Sequence, residues 1–395
     1  MRRRRTPITT MLAAVLALCA GAVEEVRAQA MQSVEPFKVG TFEIAGRPTV
    51  GLVLRDALIV DLGAANAALE LDPAYPHVPA PADMIELIGR YEYGLKYRLY
   101  EIVNDLVEND RLSGNRRAAY VHDVDDIGFL PPIMYPGKIL NAAVNFYSHV
   151  AESGTEEERA AARRERVQNR GVPYLFLKPS RGAVVGNGHE VVIPYGRDRT
   201  DWEVELGTVI GRTAKYVDAE HAQDYVFGYM VTIDVSDRGG RPPGGFGQGS
   251  DWFVGKGHDT FAPQGPWIVP KEFYGDPMQN LRQTLTVDGQ MLQEARAGDM
   301  IHSLWELIEY GSSIITLFPG DVINNGTSGG TSMSAGTGST TTTAVREGSL
   351  YLQPGEVMEA SIDGIGTLRM PAVAGPVPEG GTGARLPPVR SYRGN

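Results

Sequence analysis

Short stretches of alternating apolar and polar residues, separated by glycine and proline, recur along most of this 395-residue chain. Examples are EVVIP at 190–194, WEVELGTVIG at 202–211 and YMVTIDVS at 229–236. Alternation with a period of two predicts β-strands, and the bounding glycines and prolines predict turns. One clear helical pattern, around Ile301 to Phe318, lies among these later strands. So many short strands with one long helix favour a sheet that closes or folds over on itself.

The first part of the chain follows a different pattern. Alternating segments broken by glycine cover Phe37 to Leu62, and apolar residues then recur every three or four positions from Ala82 to Val107. This order predicts a small α+β unit. The proline-rich stretch Phe129 to Gly137 looks like a linker into a larger unit. A capping box of Thr155 and Glu158 predicts a short helix that is either a solvated surface element or a lid.

The first thirty residues resemble a cleaved signal peptide. Arg2 to Arg5 form a basic start, Met11 to Val23 are almost wholly apolar, and Ala28-Gln29-Ala30 has the small-residue spacing of a cleavage site. The apolar run is shorter than the roughly 20 residues that span a bilayer, which disfavours a membrane anchor. We therefore expect an exported protein, periplasmic or secreted. The predicted divisions are a signal peptide at 1–30, an N-terminal α+β domain at 31–130, a catalytic domain at 131–380 and a tail at 381–395.

Composition excludes several classes of function. Cys19 is the only cysteine and lies in the predicted signal peptide, so the mature chain would have no disulfide, catalytic thiol or cysteine-ligated zinc. Removing the signal peptide takes away five arginines and two glutamates, which changes the formal charge from −11 to −14. Such an acidic chain is a poor candidate for binding nucleic acid or anionic membrane.

Three carboxylates predict a metal site. Glu203 and Glu205 alternate with Val204 and Leu206 on a predicted strand, so both acids should project to one face. By itself this pair fits a solvated edge strand equally well. Asp234, however, ends a strand too apolar for an ordinary surface position, and a buried acid needs a partner. Three such oxygen ligands suit magnesium, manganese or calcium better than zinc or copper.

With these residues in place, the chain resembles the fumarylacetoacetate hydrolase superfamily over roughly Phe37 to Val373. The E-x-E strand and the later acid before Val-Ser match the family's metal-binding pattern. The remaining matches are an opening with Asn145, Tyr147, His149 and Glu152, then FLKP with Lys178, GKGHDTF with Lys256, QGPW from Gln264, LFPGDVI from Leu317, NGTSGG with Thr327, and GIGTLR from Gly364.

The resemblance implies an α+β, β-rich fold with a rolled mixed β-sheet core and a small N-terminal α+β domain. It also implies a homodimer, and a Mg²⁺ or Mn²⁺ ion on Glu203, Glu205 and Asp234 that chelates a small keto or enol acid; Ca²⁺ remains compatible with the carboxylates. Such an ion stabilises the charge that develops when a carbon–carbon bond breaks.

The resemblance also assigns roles around that ion. His149 and Glu152, spaced i, i+3, would form a dyad in which the carboxylate orients the imidazole for proton transfer from water. An isolated pair at this spacing would usually be a polar pair on a helix surface. Lys256 is the third candidate catalytic residue. The predicted substrate-binding residues are Tyr147, Lys178, Arg238, Gln248 and Thr327.

The sequence departs from the family pattern beside the presumed pocket. After Asp234 the family often has an alanine-arginine-aspartate-glutamine run, but here Arg238 is followed by a glycine- and proline-rich stretch in which Gln248 is the substitute for the glutamine. Asn145 stands where true fumarylacetoacetases have a fourth carboxylate, and the loop after Thr327 is long. These differences bear on the identity of the substrate more than on the predicted metal site.

Three hypotheses follow. The preferred one is hydrolysis of a carbon–carbon bond in an acylpyruvate-like acid. The second is isomerase, decarboxylase or lyase chemistry on a 2-hydroxy-dienoate-type acid, because the same metal cradle serves those reactions. The third is an exported binding protein without catalytic activity, since fold constrains function loosely.

Overall fold

The computed structural model describes residues 32–152, 154–240, 251–332 and 349–379. The predicted signal peptide, the predicted tail and Gln248 lie outside these ranges. Within them, no helix has both the length and the apolar character needed to cross a membrane.

Strands dominate the described chain. In chain order they are β1 (Phe37–Ile44), β2 (Arg47–Leu54), β3 (Leu58–Asp61), β4 (Val121–Asp123), β5 (Gly128–Phe129), β6 (Ile139–Ala142), β7 (Leu175–Lys178), β8 (Val184–Val185), β9 (Val191–Ile193), β10 (Thr200–Asp201), β11 (Val204–Ile210), β12 (Val226–Ile233), β13 (Ser236–Asp237), β14 (Ala262–Pro270), β15 (Arg282–Val287), β16 (Gln290–Arg296), β17 (Val322–Asn324), β18 (Val357–Ile362) and β19 (Gly366–Ala374).

The α-helices are mostly short. They are α1 (Leu62–Leu69), α2 (Met84–Arg90), α3 (Lys96–Glu108), α4 (Tyr147–Val150), α5 (Glu156–Gln168), α6 (Trp252–Lys256), α7 (Lys271–Tyr274), α8 (Pro277–Asn280) and α9 (Leu304–Ile314).

The strands form one large and two smaller sheets. The large sheet runs in the order β4-β3-β2-β1-β14-β12-β11-β17-β6-β7, with β5 beside β1 and β8 beside β14. A five-stranded sheet runs β16-β15-β18-β19-β9, and β10 pairs with β13. Most neighbours are antiparallel, but β17–β6, β14–β8 and β19–β9 are parallel. The predicted α+β, β-rich class with mixed sheets is confirmed.

Side chains alternate along β11 between two hydrophobic cores. Leu206 and Ile210 belong to a core that includes much of the five-stranded sheet. Val209 belongs to a second core, together with Leu52 of β2 and Leu99 of α3. The strict period of two thus allows β11 to cover both cores at once. The buried acid Glu205 lies on this strand, and Glu203 immediately precedes the strand.

The early and late portions of the chain share the large sheet. Strand β1 pairs with β14, where Val39 lies opposite Ile268. Ile268 and Phe227, from the later portion, are buried in the core that the early residues form. The division near residue 130 stays a prediction, and the two portions it separates are joined by a sheet and a core.

The helical pattern between Ala82 and Val107 is interrupted in the structure. Helices α2 and α3 are separated by a π-type turn at Tyr91–Leu95 in which Gly94 has a φ of +114°. Only glycine adopts that conformation readily, so the helix breaks there despite continuous apolar spacing. By contrast, the capping box of Thr155 and Glu158 at the start of α5 is confirmed.

Two buried tyrosines tie the early helices to α7. Tyr91 and Tyr100 donate hydrogen bonds of 2.6 and 2.9 Å to Glu272 Oε1.

We expect Glu272→Ala to lower the free energy of unfolding by about 1–3 kcal/mol, because the hydroxyl of Tyr91 loses its acceptor while buried. The matched control is Glu294→Ala, which removes an exposed pair with Arg282 and should cost less than about 1 kcal/mol. Equal losses in urea titrations of the two variants would contradict the assigned role of Glu272.

Candidate active site

Three carboxylates converge where β11 and β12 lie side by side. The antiparallel register pairs Val204 with Ile233, which brings Glu203 and Glu205 next to Asp234 at the adjoining strand end. Each acid offers an oxygen within 4.8 Å of the others, and all three side chains are buried. The alternation of side chains read from the sequence therefore leads to one acidic cluster.

Three cations surround this cluster. Lys256 Nζ lies 2.7 Å from Glu203 Oε2 and 2.5 Å from Asp234 Oδ2. Lys178 contacts Asp234 and donates to the carbonyl of Val235 at 2.9 Å. Arg238 contacts Glu203. All three cations are therefore engaged with the acidic cluster or its immediate backbone.

A fourth acid, which the sequence analysis missed, is linked to the cluster through Arg238, which also contacts Glu203. Asp201 is fully buried; its Oδ2 accepts from Arg238 Nε at 2.9 Å, and its Oδ1 accepts from the backbone N–H of Ser332, also at 2.9 Å. Asp201 thus connects β10 to Arg238 and to the glycine-rich loop, the segment from Gly326 to Ser332. The signal in the sequence was its place in DWEVE, two residues before Glu203.

The electrostatics separate the two glutamates. Burial alone would raise the pKa of Glu203, but the charges of Lys256 and Arg238 outweigh that effect and lower it. For Glu205, burial and then the charges of Asp234 and Glu203 raise the pKa well above its ordinary value. Glu205 is thus the acid whose charge the surrounding protein compensates least.

The residues fit a hard divalent cation. Their ligand atoms are all carboxylate oxygens, the set that Mg²⁺, Mn²⁺ and Ca²⁺ prefer. Burial, together with the charges of Asp234 and Glu203, raises the pKa of Glu205, and a bound dication would offset both effects.

A histidine–carboxylate pair lies beside the cluster. His149 Nδ1, on α4, is 2.7 Å from Glu152 Oε2, and both side chains are buried. Glu152 Oε1 also accepts from the backbone N–H groups of Gly330 and Thr331, at 2.5 and 2.7 Å. The hydroxyl of Thr331 donates to Glu152 Oε2 at 3.1 Å. The sequence analysis did not find these donors, although Gly330 is the last residue of the NGTSGG motif and Thr331 follows it.

One cavity of about 80 Å³ brings most of the predicted residues together. The residues that line it are Ala142, Ala143, Val144, His149, Phe176, Glu203, Asp234, Arg238, Trp252, Lys256 and Thr327. Phe176 and Trp252 were not among the predicted site residues, although Phe176 is the first residue of the FLKP motif.

Two predicted substrate-binding residues have other contacts. The ring of Tyr147 lies under the guanidinium of Arg163, 4.9 Å away, and does not line the cavity. The hydroxyl of Thr327 donates to the carbonyl of Val204 at 3.0 Å and accepts from Gln293 at 2.8 Å. Thr327 therefore contributes to the cavity wall while its hydroxyl secures the glycine-rich loop to β11. Their roles toward a substrate stay predictions.

Asn145 also has a structural role in the same loop region. Its side-chain amide donates to the carbonyls of His302 and Asn325, at 3.0 and 2.8 Å, and its oxygen accepts from the N–H of His302 at 2.9 Å. These bonds use the amide's donors and its acceptor together, which a carboxylate could not do.

Residues 138–373 match the C-terminal domain of fumarylacetoacetate hydrolase, and this match covers more than half of the chain. The chain belongs to the fumarylacetoacetate hydrolase family. The resemblance predicted from the motifs is thereby confirmed, and the matched range contains every predicted site residue.

Proteins named for different activities are similar to this chain. A 2,4-didehydro-3-deoxy-L-rhamnonate hydrolase from a Sphingomonas species is 36% identical over 238 residues, which cover 60% of this chain and 74% of that protein. The 5-carboxymethyl-2-hydroxymuconate delta-isomerase of Mycobacterium smegmatis is 30% identical, with a TM-score of 0.51, over 66% of this chain and 87% of that one.

A maleylpyruvate hydrolase from Sphingobium sp. SYK-6, solved with manganese(II) and pyruvate, has the same fold. Its TM-score is 0.60 at 24% identity, and the match covers 86% of this chain and 100% of that one. Hydrolases and an isomerase are thus both among the relatives.

The close contacts of Gly330 allow a test of whether the glycine-rich loop positions the His149–Glu152 pair. A Cβ built on it would lie 1.9 Å from the carbonyl oxygen of Leu292, and its φ is +102°. We expect Gly330→Ala to displace the loop from Glu152 and to cost about 1–3 kcal/mol of stability. Gly289→Ala is the matched control, since Gly289 has a φ of +79° but no atom within 4 Å. Catalytic activity should fall only in the Gly330→Ala variant. Unchanged activity in that variant would show that the glycine-rich loop does not position Glu152.

Proposed function

We propose that this protein is a divalent-metal-dependent hydrolase that cleaves a carbon–carbon bond in a small keto or enol acid of the acylpyruvate type. The observation that carries the proposal is that His149, held by Glu152, lines the same cavity as Glu203 and Asp234. Proton transfer and the stabilisation of developing negative charge can then act on one substrate.

His149 is arranged to act as the general base. Its Nδ1 faces the carboxylate of Glu152, so the Nδ1 carries the hydrogen and Nε2 keeps the lone pair. Nε2 takes a proton from water, and the hydroxide adds to the acyl carbonyl carbon. The bond to the keto-acid fragment breaks, and its electron pair leaves on that fragment. His149 returns the proton to the fragment's carbon, so one water is consumed and two acids are released.

Glu203, Glu205 and Asp234 would hold a Mg²⁺ or Mn²⁺ ion, with Ca²⁺ also compatible, which supplies Lewis-acid stabilisation of charge on the keto-acid oxygens. Lys256 and Arg238 line the cavity and favour an anionic substrate there. Burial would lower the pKa of Lys256, but Asp234 and Glu203 raise it, so this lysine stays charged.

The test is turnover of a series of acylpyruvates by protein loaded with Mg²⁺ or Mn²⁺, followed by mass analysis of the products. Hydrolysis yields two fragments whose masses sum to substrate plus water, and chelation should abolish it. No fragmentation of any acylpyruvate with either metal would contradict the proposal.

Isomerisation is the second candidate, and the similarity to the delta-isomerase of Mycobacterium smegmatis favours it. In that reaction the same base moves a proton between carbons and no bond of the carbon skeleton breaks. A product of unchanged mass with a shifted ultraviolet absorbance would support isomerisation over hydrolysis.

We further propose that the chain is exported and forms a homodimer. The basic and apolar pattern of residues 1–30 supports export, and the family resemblance supports the dimer. The mature N-terminus, read by mass spectrometry from the expressed protein, and the mass in solution by light scattering test the two statements separately.

A further inference from the structure

The cavity at the acidic cluster is too small for a whole substrate. Its volume is about 80 Å³, whereas ordinary small-molecule pockets enclose roughly 300–1,000 Å³. A keto-acid end fits beside the carboxylates, and the remainder of the substrate must extend outward through the mouth. The side chains at the mouth therefore decide what the remainder can be.

The burial of the lining residues shows where the mouth lies. Glu203, Asp234 and Lys256 are buried and form the floor. Phe176 and Trp252 are half-buried, and Val144 is 42% exposed. Substrate that leaves the floor therefore passes along these apolar side chains.

Aromatic rings form one side of this path. The rings of Phe176, on β7, and Trp252, the first residue of α6, have centroids 4.6 Å apart. Tyr174, which is 54% exposed, packs on the outer side of Trp252 with centroids 5.6 Å apart. The three rings continue from the cavity wall to the surface. A planar apolar group can stack on such a wall with little loss of rotamer freedom.

Among the described residues that line the cavity, no positively charged side chain is left to bind a negatively charged tail of the substrate. Among the described residues that line the cavity, the lysine and the arginine are Lys256 and Arg238, and both are ion-paired with the acidic cluster. The other mouth residues are apolar. Val144 even keeps its branched side chain there at a φ of +51°, a conformation that branched residues disfavour.

We propose that the substrate carries a planar apolar group, such as an aryl ring, on the acyl side of the cleaved bond, and that Trp252 is the residue that selects it. The proposal rests on the proposed function, because it assumes that the keto-acid end of the substrate binds at the acidic cluster. Trp252 stacks against the acyl group and takes no part in proton transfer.

The experiment compares three substrates on the Mn²⁺-loaded protein: benzoylpyruvate, acetylpyruvate and fumarylpyruvate, which have an aryl, a methyl and a carboxylate tail. The variants are Trp252→Ala and Trp252→Phe, with Phe253→Ala as the matched control because Phe253 is 78% exposed and does not line the cavity. Calorimetry with phenylpyruvate and pyruvate gives a binding readout that needs no turnover.

The wild-type protein should give the highest kcat/KM with benzoylpyruvate. Trp252→Ala should lower the benzoyl-to-acetyl ratio of kcat/KM by about tenfold, Trp252→Phe should restore most of it, and Phe253→Ala should leave it unchanged. The preference for phenylpyruvate over pyruvate should respond in the same way.

Two failures can be told apart. If acylpyruvates are cleaved but benzoylpyruvate is not preferred, or the ratio survives in Trp252→Ala, the inference is wrong and the proposed function stands. If no acylpyruvate is cleaved, the proposed function is wrong, and the inference then depends on calorimetry. Equal affinities for phenylpyruvate and pyruvate would overturn it.

Discussion

Replacing His149 with alanine is expected to lower kcat for acylpyruvate hydrolysis by about 10²- to 10⁴-fold, the usual contribution of a positioned general base. Turnover fails because no other residue that lines the described cavity is a histidine that could take the proton from water there. The affinity for Mn²⁺ should change little, since the three carboxylates remain. Steady-state kinetics and calorimetric titration with Mn²⁺ on the same preparation measure the two effects.

The chain contains a matched control for this variant. His221 Nδ1 lies 2.7 Å from Asp218 Oδ1 at the same three-residue separation, but the pair is exposed. His221→Ala should leave turnover unchanged, although it removes the same kind of histidine–carboxylate contact. Full activity of His149→Ala, or equal losses in both variants, would exclude His149 as the base.

Replacing Glu205 with glutamine should have opposite effects on function and on stability. The change removes one ligand charge, so Mn²⁺ affinity should fall by at least ~100-fold, because even residues that only support metal ligands matter by 10- to 100-fold. Without metal, the same change removes a charge that burial and the repulsion from Asp234 and Glu203 disfavour, so it should stabilise the fold near neutral pH. Calorimetric titration and thermal unfolding, with and without Mn²⁺, measure both effects.

The stability difference should also depend on pH. Because the pKa of Glu205 is raised in the folded protein, its contribution to stability is fully present below its unfolded pKa of about 4.3. The contribution is lost as pH rises toward the folded pKa. Metal-free wild-type protein should therefore lose stability relative to the glutamine variant as pH rises from about 4 to 7. Glu359→Gln, at an exposed carboxylate, is the control and should show no such trend.

If metal-free Glu205→Gln were less stable than the wild type at neutral pH, the buried charge of Glu205 would not destabilise the metal-free fold. If the variant bound Mn²⁺ as tightly as the wild type, Glu205 would not be a ligand.

The sequence was sufficient where a local rule determines geometry. Strand alternation put Glu203 and Glu205 on one face, and the apolar strand before Asp234 indicated a buried acid. The spacing of His149 and Glu152 allowed their contact because Glu152 lies just after the short helix that holds His149. The relation between these two sets came from the family motifs, since no periodicity connects α4 with β11.

The sequence was insufficient where the outcome depends on contacts between distant segments. Nothing local indicates that Gly330 and Thr331 donate to Glu152, 178 and 179 positions away in the chain. The break at Gly94 was hidden because apolar spacing continues across it. Glycine permits such a break without requiring it, so only the packed structure determines the outcome.

The pairing of β1 with β14 and the burial of Phe227 and Ile268 against early residues constrain how this protein can diversify. The early portion covers a sheet face that the later portion would otherwise expose to water. Recombination that exchanges the early portion alone would mismatch that face, so matching changes on β12 and β14 must accompany it. Separating the two portions of the chain should therefore leave an apolar face exposed on each.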